Sequence, residues 1–134
     1  MKNIKGFTLV EVLATIVLLG ILLMIAVPSV SKLQETSNIR QIEADAKIFV
    51  ELVRQKIESD TNIKISTSED FDLDDIDITK LSSSNYNKST SKVTASDCGY
   101  KTNDIYTCDT FDVLLENDSY KASIESGEIK GQKK

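Results

Sequence analysis

Histidine and tryptophan are absent from this chain, proline occurs once and glycine five times. Without histidine the sequence lacks the commonest acid–base side chain near neutral pH and the commonest metal ligand. It also carries no Gly-rich phosphate loop and no Gly-x-Ser-x-Gly nucleophile motif. An enzyme is therefore not expected, and no cofactor or metal is assigned. Cysteine is scarce as well: Cys98 and Cys108 are the only two. Two thiols are too few for a structural zinc site, which takes four Cys or His ligands. Outside a membrane they could close a short loop as a disulfide; the alternative is two free thiols. Charge is missing from residues 12–28, whereas residues 29–134 carry 20 acidic against 14 basic side chains. That acidic excess argues against direct nucleic-acid binding, which needs clustered Lys and Arg to displace counterions from phosphates. The 134 residues suffice for one domain with a modest core. The abundance of Lys, Asn, Ile, Ser and Asp points to an AT-rich bacterial genome and a Gram-positive host.

What the sequence does have is a long apolar run. From Phe7 to Val27 it reads FTLVEVLATIVLLGILLMIAV, 21 residues with Glu11 as the one ionisable side chain. As a helix rising about 1.5 Å per residue the run spans roughly 31 Å, the thickness of a bilayer core. Lys2 and Lys5 precede it, so the first residues are expected to stay cytoplasmic and the bulk of the chain to lie outside. A secretory signal has a shorter apolar core with a small-residue cleavage site behind it; here the run passes directly into Pro28-Ser29-Val30. A plain single-pass anchor is the simple reading, but it leaves Glu11 unexplained. An ionised side chain in hydrocarbon costs on the order of 2–3 kcal/mol and so usually has a partner. A cut before Phe7 would create an α-amino group one helical turn from Glu11, able to pair with it in the same chain or in a neighbour. Alternatively, Glu11 sits at the interface near the positive end of the helix dipole. Gly20 and Pro28 weaken the helix between them.

Lys5-Gly6-Phe7-Thr8-Leu9-Val10-Glu11, followed by Gly20 and Pro28, closely resembles the N-terminus of type IV prepilins and their pseudopilin relatives. The resemblance covers residues 5–28. It implies that prepilin peptidase cuts between Gly6 and Phe7 and that Phe7 is N-methylated. It further implies that Glu11 pairs with the terminal amine of an adjacent subunit during assembly, and that the helix loosens from Gly20 to Pro28 inside a filament. The implied partners are copies of the chain and other pilins, the peptidase, the membrane assembly machinery and, before assembly, lipid.

Beyond Pro28, Ile39, Ile42, Ala46, Phe49, Val53 and Ile57 recur at steps of three and four, which predicts one buried face of a helix. Residues Asp60–Ser96 are polar and loop-like, with Ile63–Ile65 as a candidate short strand. Asp70, Asp72, Asp74, Asp75 and Asp77 alternate with apolar residues; calcium is one use of such carboxylates, and a solvated edge is the other. Phe111–Glu116 and Tyr120–Ile124 flank a tight turn and predict a hairpin. Ser126-Gly127 marks a second turn before a short strand at Glu128–Lys130, and Ile105–Thr107 is a further candidate strand.

The expected fold is α+β: a long N-terminal helix whose second half packs on a small antiparallel sheet, an order that is also the pilin fold. The expected organisation is a leader at 1–6, a membrane-spanning and filament-core helix at 7–28, and a head at 29–134. Within the head the helix continues over about 29–58, a variable loop occupies about 59–96, and the sheet about 97–131. The expected function is that of a structural subunit of a type IV pilus or pseudopilus, held first in the cytoplasmic membrane and then in an extracellular filament. The competing expectation is a single-pass membrane protein whose head binds a partner and never polymerises.

Overall fold

The computed structural model describes residues 6–101 and 104–134, and of residues 27–29 the backbone alone. The leader expected at 1–6, apart from Gly6, and the Pro28 side chain lie outside the described residues.

One helix, α1, runs from Leu9 to Ser59 over 51 residues, through Gly20 and Pro28. Thr8 and Glu11 open it. Lys56 in its last turn complements the negative end of the helix dipole. It stops where the Asp60 carboxylate accepts from the Asn62 N–H at 2.9 Å, an Asx turn that replaces the next helical bond. The chain divides into two units, residues 1–36 and 37–134.

In the first unit the described apolar side chains of Leu9–Ile25, together with Val30 and Leu33, are exposed.

The second unit pairs the remainder of α1 with a five-stranded antiparallel meander. Its strands follow in sequence order: β1 (Ser68–Asp72), β2 (Lys92–Tyr100), β3 (Tyr106–Glu116), β4 (Tyr120–Glu125) and β5 (Glu128–Lys133). The fold is thus α+β, a long helix with a sheet. Most of the predicted helical stripe forms the core: Ile42, Ala46, Phe49, Val53 and Ile57 are all buried, whereas Ile39 at its start is only partly buried. They belong to one cluster with Phe71, Val93, Ala95, Phe111, Val113, Leu115, Ala122 and Ile124 from the sheet. Burying each large aliphatic or aromatic side chain contributes about 1.5–3 kcal/mol. Gly131 lets β5 approach the helix closely. Its N–H donates to the Glu43 carboxylate at 2.9 Å, and a Cβ placed there would meet Glu43 Cγ at 2.7 Å.

The structure revises several sequence boundaries. The sheet begins at Ser68, well before residue 97, because the interval expected to be loop contributes β1 and most of β2. Ile63–Ile65 is not a strand. Ile65 is buried, and the Tyr106 hydroxyl both accepts from its N–H at 2.7 Å and donates to its C=O at 2.9 Å, in place of a neighbouring strand. Ile105 lies just outside β3, which joins the two predicted pieces of this region into one 11-residue strand. The predicted hairpin and its following strand stand, with β5 extending to Lys133. The turn between β4 and β5 has positive φ at both Ser126 (52°) and Gly127 (83°), the twist that suits a two-residue hairpin.

Candidate functional site at the start of the helix

Gly6 and Phe7 precede the helix and are exposed, Phe7 by 88%. Thr8 is the N-cap and Glu11 the third helical residue. The Thr8 N–H and hydroxyl both donate to Glu11 Oε2, at 2.9 and 3.1 Å, and the Glu11 N–H donates to Thr8 Oγ1 at 3.3 Å. This is a capping box: two backbone donors that the helix leaves unpaired are satisfied by each other's side chains. The sequence leaves Glu11 either pairing with a new amine or sitting at the interface near the helix dipole. Within the described residues its carboxylate accepts from Thr8, and the Thr-x-x-Glu spacing that signals this cap stands in the sequence.

The cap fixes where Glu11 points. Its carboxylate is held at the amide of Thr8, one residue from the Phe7 nitrogen, with consecutive Cα atoms about 3.8 Å apart. Any positive charge created at that nitrogen would arise beside this carboxylate. Behind it lies a helix that is long and apolar enough to cross a membrane. Thr15, the next polar side chain, folds its hydroxyl back onto the Val12 carbonyl at 2.8 Å and so presents no free donor to its surroundings. Gly20 has open space where a side chain would stand.

The remaining predicted residues lie in the second unit. Cys98 and Cys108 are directly opposed across β2 and β3 and form a disulfide. Val93 and Ala95 are buried on β2, as are Leu115, Val113 and Phe111 on β3, but the strict alternation then breaks. Asp97 takes a left-handed φ of 54° and receives a hydrogen bond from the Thr110 hydroxyl at 2.9 Å, so that Cys98 and Cys108 both pack on the core.

The acidic run does not converge. Asp70 accepts from the Lys92 ammonium at 2.6 Å and from the Thr94 hydroxyl at 2.5 Å. Asp74 pairs with Lys88, and Asp75 pairs with Lys56 at 3.3 Å. Asp77 caps Thr79, whose N–H lies at 3.1 Å and whose hydroxyl lies at 2.6 Å. The Lys92 hydrogen bond holds the Asp70 carboxyl below the usual carboxylate range. The Asp72 N–H does the same first for Asp75, and the Thr79 hydroxyl for Asp77. Among the described residues no three His, Cys, Asp or Glu side chains gather as a metal site.

Sequence reading missed one buried charge. Asp45 is fully buried on the helical stripe between Ile42 and Phe49. It accepts from the Ser82 N–H at 3.0 Å, the Ser82 hydroxyl at 2.7 Å and the Tyr86 hydroxyl. Burial, and then the neighbouring Asp45 carboxylate, push the Tyr86 hydroxyl well above its ordinary pKa. An acid at a stripe position was the available signal, since a buried carboxylate is tolerated only with donors around it.

Residues 1–27 match the family model of the prokaryotic N-terminal methylation motif. No curated protein and no solved structure matches the chain. The matched segment contains Gly6, Phe7 and the Thr8–Glu11 cap, so the one recognised signal and the capped helix start coincide. The motif is borne by structural proteins rather than enzymes, and with the long apolar helix it fits a membrane-anchored precursor that assembles with other pilins. The chain thus carries the signal of a type IV pilin-like precursor processed by prepilin peptidase.

Proposed function

We propose that the chain is a structural subunit of a type IV pilus or pseudopilus. In this reading residues 1–6 are the leader, and prepilin peptidase cuts between Gly6 and Phe7 and methylates the new amine of Phe7. Residues 7–28 hold the precursor in the cytoplasmic membrane and later form the filament core, while the head from residue 29 onward lies outside the cell. Gly20 and Pro28 bound the stretch of helix that loosens on packing.

The observation that carries the reading is the exposed apolar helix with a single acid at its start, inside the matched motif. Around the circumference of α1 from Leu9 to Ile25 the described apolar side chains are exposed. Lipid suits it before assembly and the helices of other subunits suit it afterwards. Glu11 would be costly in either setting unless paired. In the uncut chain Thr8 supplies hydrogen bonds but no charge. Cleavage supplies the charge: a new ammonium at Phe7, in the same subunit or in the next one. At about 4 Å and an effective dielectric near 20 such a pair attracts by about 4 kcal/mol before desolvation is subtracted.

The testing experiment is the N-terminal sequence and intact mass of the protein recovered from its own cells. The expected terminus is Phe7 carrying one added methyl group, on a chain of 128 residues with a side-chain net charge of −7. A chain still beginning at Met1 in cells that contain the peptidase would replace this reading with that of a non-polymerising membrane anchor.

A further inference from the structure

The second unit carries a polar cleft of about 320 Å³ that the filament reading does not use. Three elements build it: α1 gives Asn38 and Gln41, the segment between β1 and β2 gives Ser83 and Asn85, and the β3–β4 turn gives Asn117 and Asp118. Ile42 and the side chains of Tyr86 and Tyr120 supply its apolar surface. We propose that this cleft is a binding site for a neutral carbohydrate, one or two sugar rings in size.

The chemistry of the lining selects the ligand class. Its polar side chains are amides and hydroxyls, which both donate and accept, with Asp118 as the one charge. A sugar presents paired hydroxyls that also do both, and the face of its ring is apolar enough to lie against tyrosine. No Lys or Arg lines the cleft, so phosphate, sulfate and acidic sugars find no counter-charge and meet the repulsion of Asp118. An extended peptide is a poorer fit. It would seek an unpaired strand edge, whereas the cleft abuts β3 and β4, each paired on both sides. The volume lies at the lower end of the range for small-molecule sites.

The walls are held rigid while the recognising groups stay free. Asp45 pins Ser82 and Tyr86 from below. Asn117 Oδ1 accepts from the N–H groups of Ser119 at 3.0 Å and Tyr120 at 2.8 Å, which fixes the turn. Asn38 donates to the Tyr120 hydroxyl at 3.2 Å. By contrast, the side chains of Gln41, Asn85 and Asp118 make no hydrogen bond or ion pair with other described residues, although the Asn85 N–H donates to the Ser83 hydroxyl at 3.2 Å. Three exposed polar side chains thus stand around a braced cleft, so that binding has to order these side chains but not the walls.

The test uses the full chain in a zwitterionic detergent whose headgroup contains no sugar. Lactose, cellobiose and N,N′-diacetylchitobiose are titrated and followed by backbone amide shifts. A sulfated disaccharide and a tetra-alanine peptide serve as the contrasting probes. The expected result is saturable binding of at least one neutral disaccharide, with shifts confined to residues 38–42, 83–86 and 117–120. Gln41→Ala and Asn85→Ala are each expected to weaken it about tenfold, the effect of one lost hydrogen bond. Both side chains are exposed, so unchanged thermal unfolding will show that these variants remain folded, and Lys47→Ala, outside the cleft, should bind as the parent does. The proposal is overturned if no neutral disaccharide binds, if both variants bind unchanged, or if the sulfated sugar or the peptide binds in preference. Because the titration is done on the unassembled chain, its outcome is independent of whether Gly6–Phe7 is cut.

Discussion

The two parts of α1 share a secondary structure and differ in where their apolar surface goes. From Leu9 to Ile25 the apolar side chains surround the helix and are exposed; from Ile42 to Ile57 they form one stripe and are buried. The second pattern is complete within the chain, because the sheet covers the stripe. The first is not covered by other described residues; in the proposed reading lipid or another helix covers it. A single helix can therefore be folded by its own protein along one stretch and by its surroundings along another. Substitutions in the two stretches should be read by different assays.

The largest separation is expected from truncating one large apolar side chain in each stretch. Phe49→Ala removes a fully buried ring from the core and should destabilise the second unit by about 3–5 kcal/mol. Leu18→Ala removes a side chain that is 61% exposed and should leave head unfolding unchanged. Urea unfolding of the full chain in micelles, followed through tyrosine fluorescence, makes the comparison. Equal losses would mean that the exposed stretch is after all part of the folded head.

Next in size is the buried charge. Asp45→Ala leaves the Ser82 N–H and the Tyr86 hydroxyl without their acceptor. Orphaned buried donors cost about 1–3 kcal/mol each, so a loss of about 3 kcal/mol is expected in the same unfolding experiment. Asp45→Asn keeps an acceptor and should lose less. If Asp45→Ala proved as stable as the parent, the carboxylate would not be what fastens residues 82–86 to the helix.

This contrast also marks what the sequence could disclose. The helical stripe, the β3–β4 hairpin and the turn at Ser126-Gly127 were legible because each is a local pattern: a 3.6-residue period, an alternation, a turn signal. β1 was not, because Ser68–Asp72 reads as an acidic edge; Asp is a poor strand former, and Asp70 finds Lys92 and Thr94 only across the sheet. Asp45 was missed for the same reason: its donors lie 37 and 41 residues away. At the helix start the opposite holds. The Thr8–Glu11 cap lies within four residues, a local signal, but the attention that Glu11 draws as an intramembrane acid hid its role as a capping residue.

A smaller effect, and one confined to the first stretch, is expected from Glu11→Ala. Head unfolding should not change. Incorporation into filaments should fall about tenfold, the equivalent of losing an ion pair worth ~1.4 kcal/mol. Quantifying sheared filaments against membrane-retained subunit checks both arms. Normal filament yield would mean that the cap to Thr8 is all that Glu11 contributes.

The smallest effect is that of acidification on the head. Asp70, Asp75, Asp77 and Glu116 have pKa values lowered in the folded state, chiefly by hydrogen bonds from Lys92, the Asp72 N–H, the Thr79 hydroxyl and Thr90, respectively. A depressed carboxyl pKa stabilises the fold above the unfolded value, about 4, because there the unfolded chain has no proton to gain. As pH falls through the lowered folded values, the native carboxylates protonate in their turn and that stabilisation is lost. These groups lie near the surface, where water and salt screen each contribution. The head should therefore unfold at slightly lower urea at pH 3 than at pH 6, with the difference shrinking as salt is raised. Lys92→Met should reduce the pH dependence by removing the main cause of the Asp70 shift. A head equally stable at both pH values would mean that these hydrogen bonds hold the carboxylates no better in the folded head than in the unfolded chain.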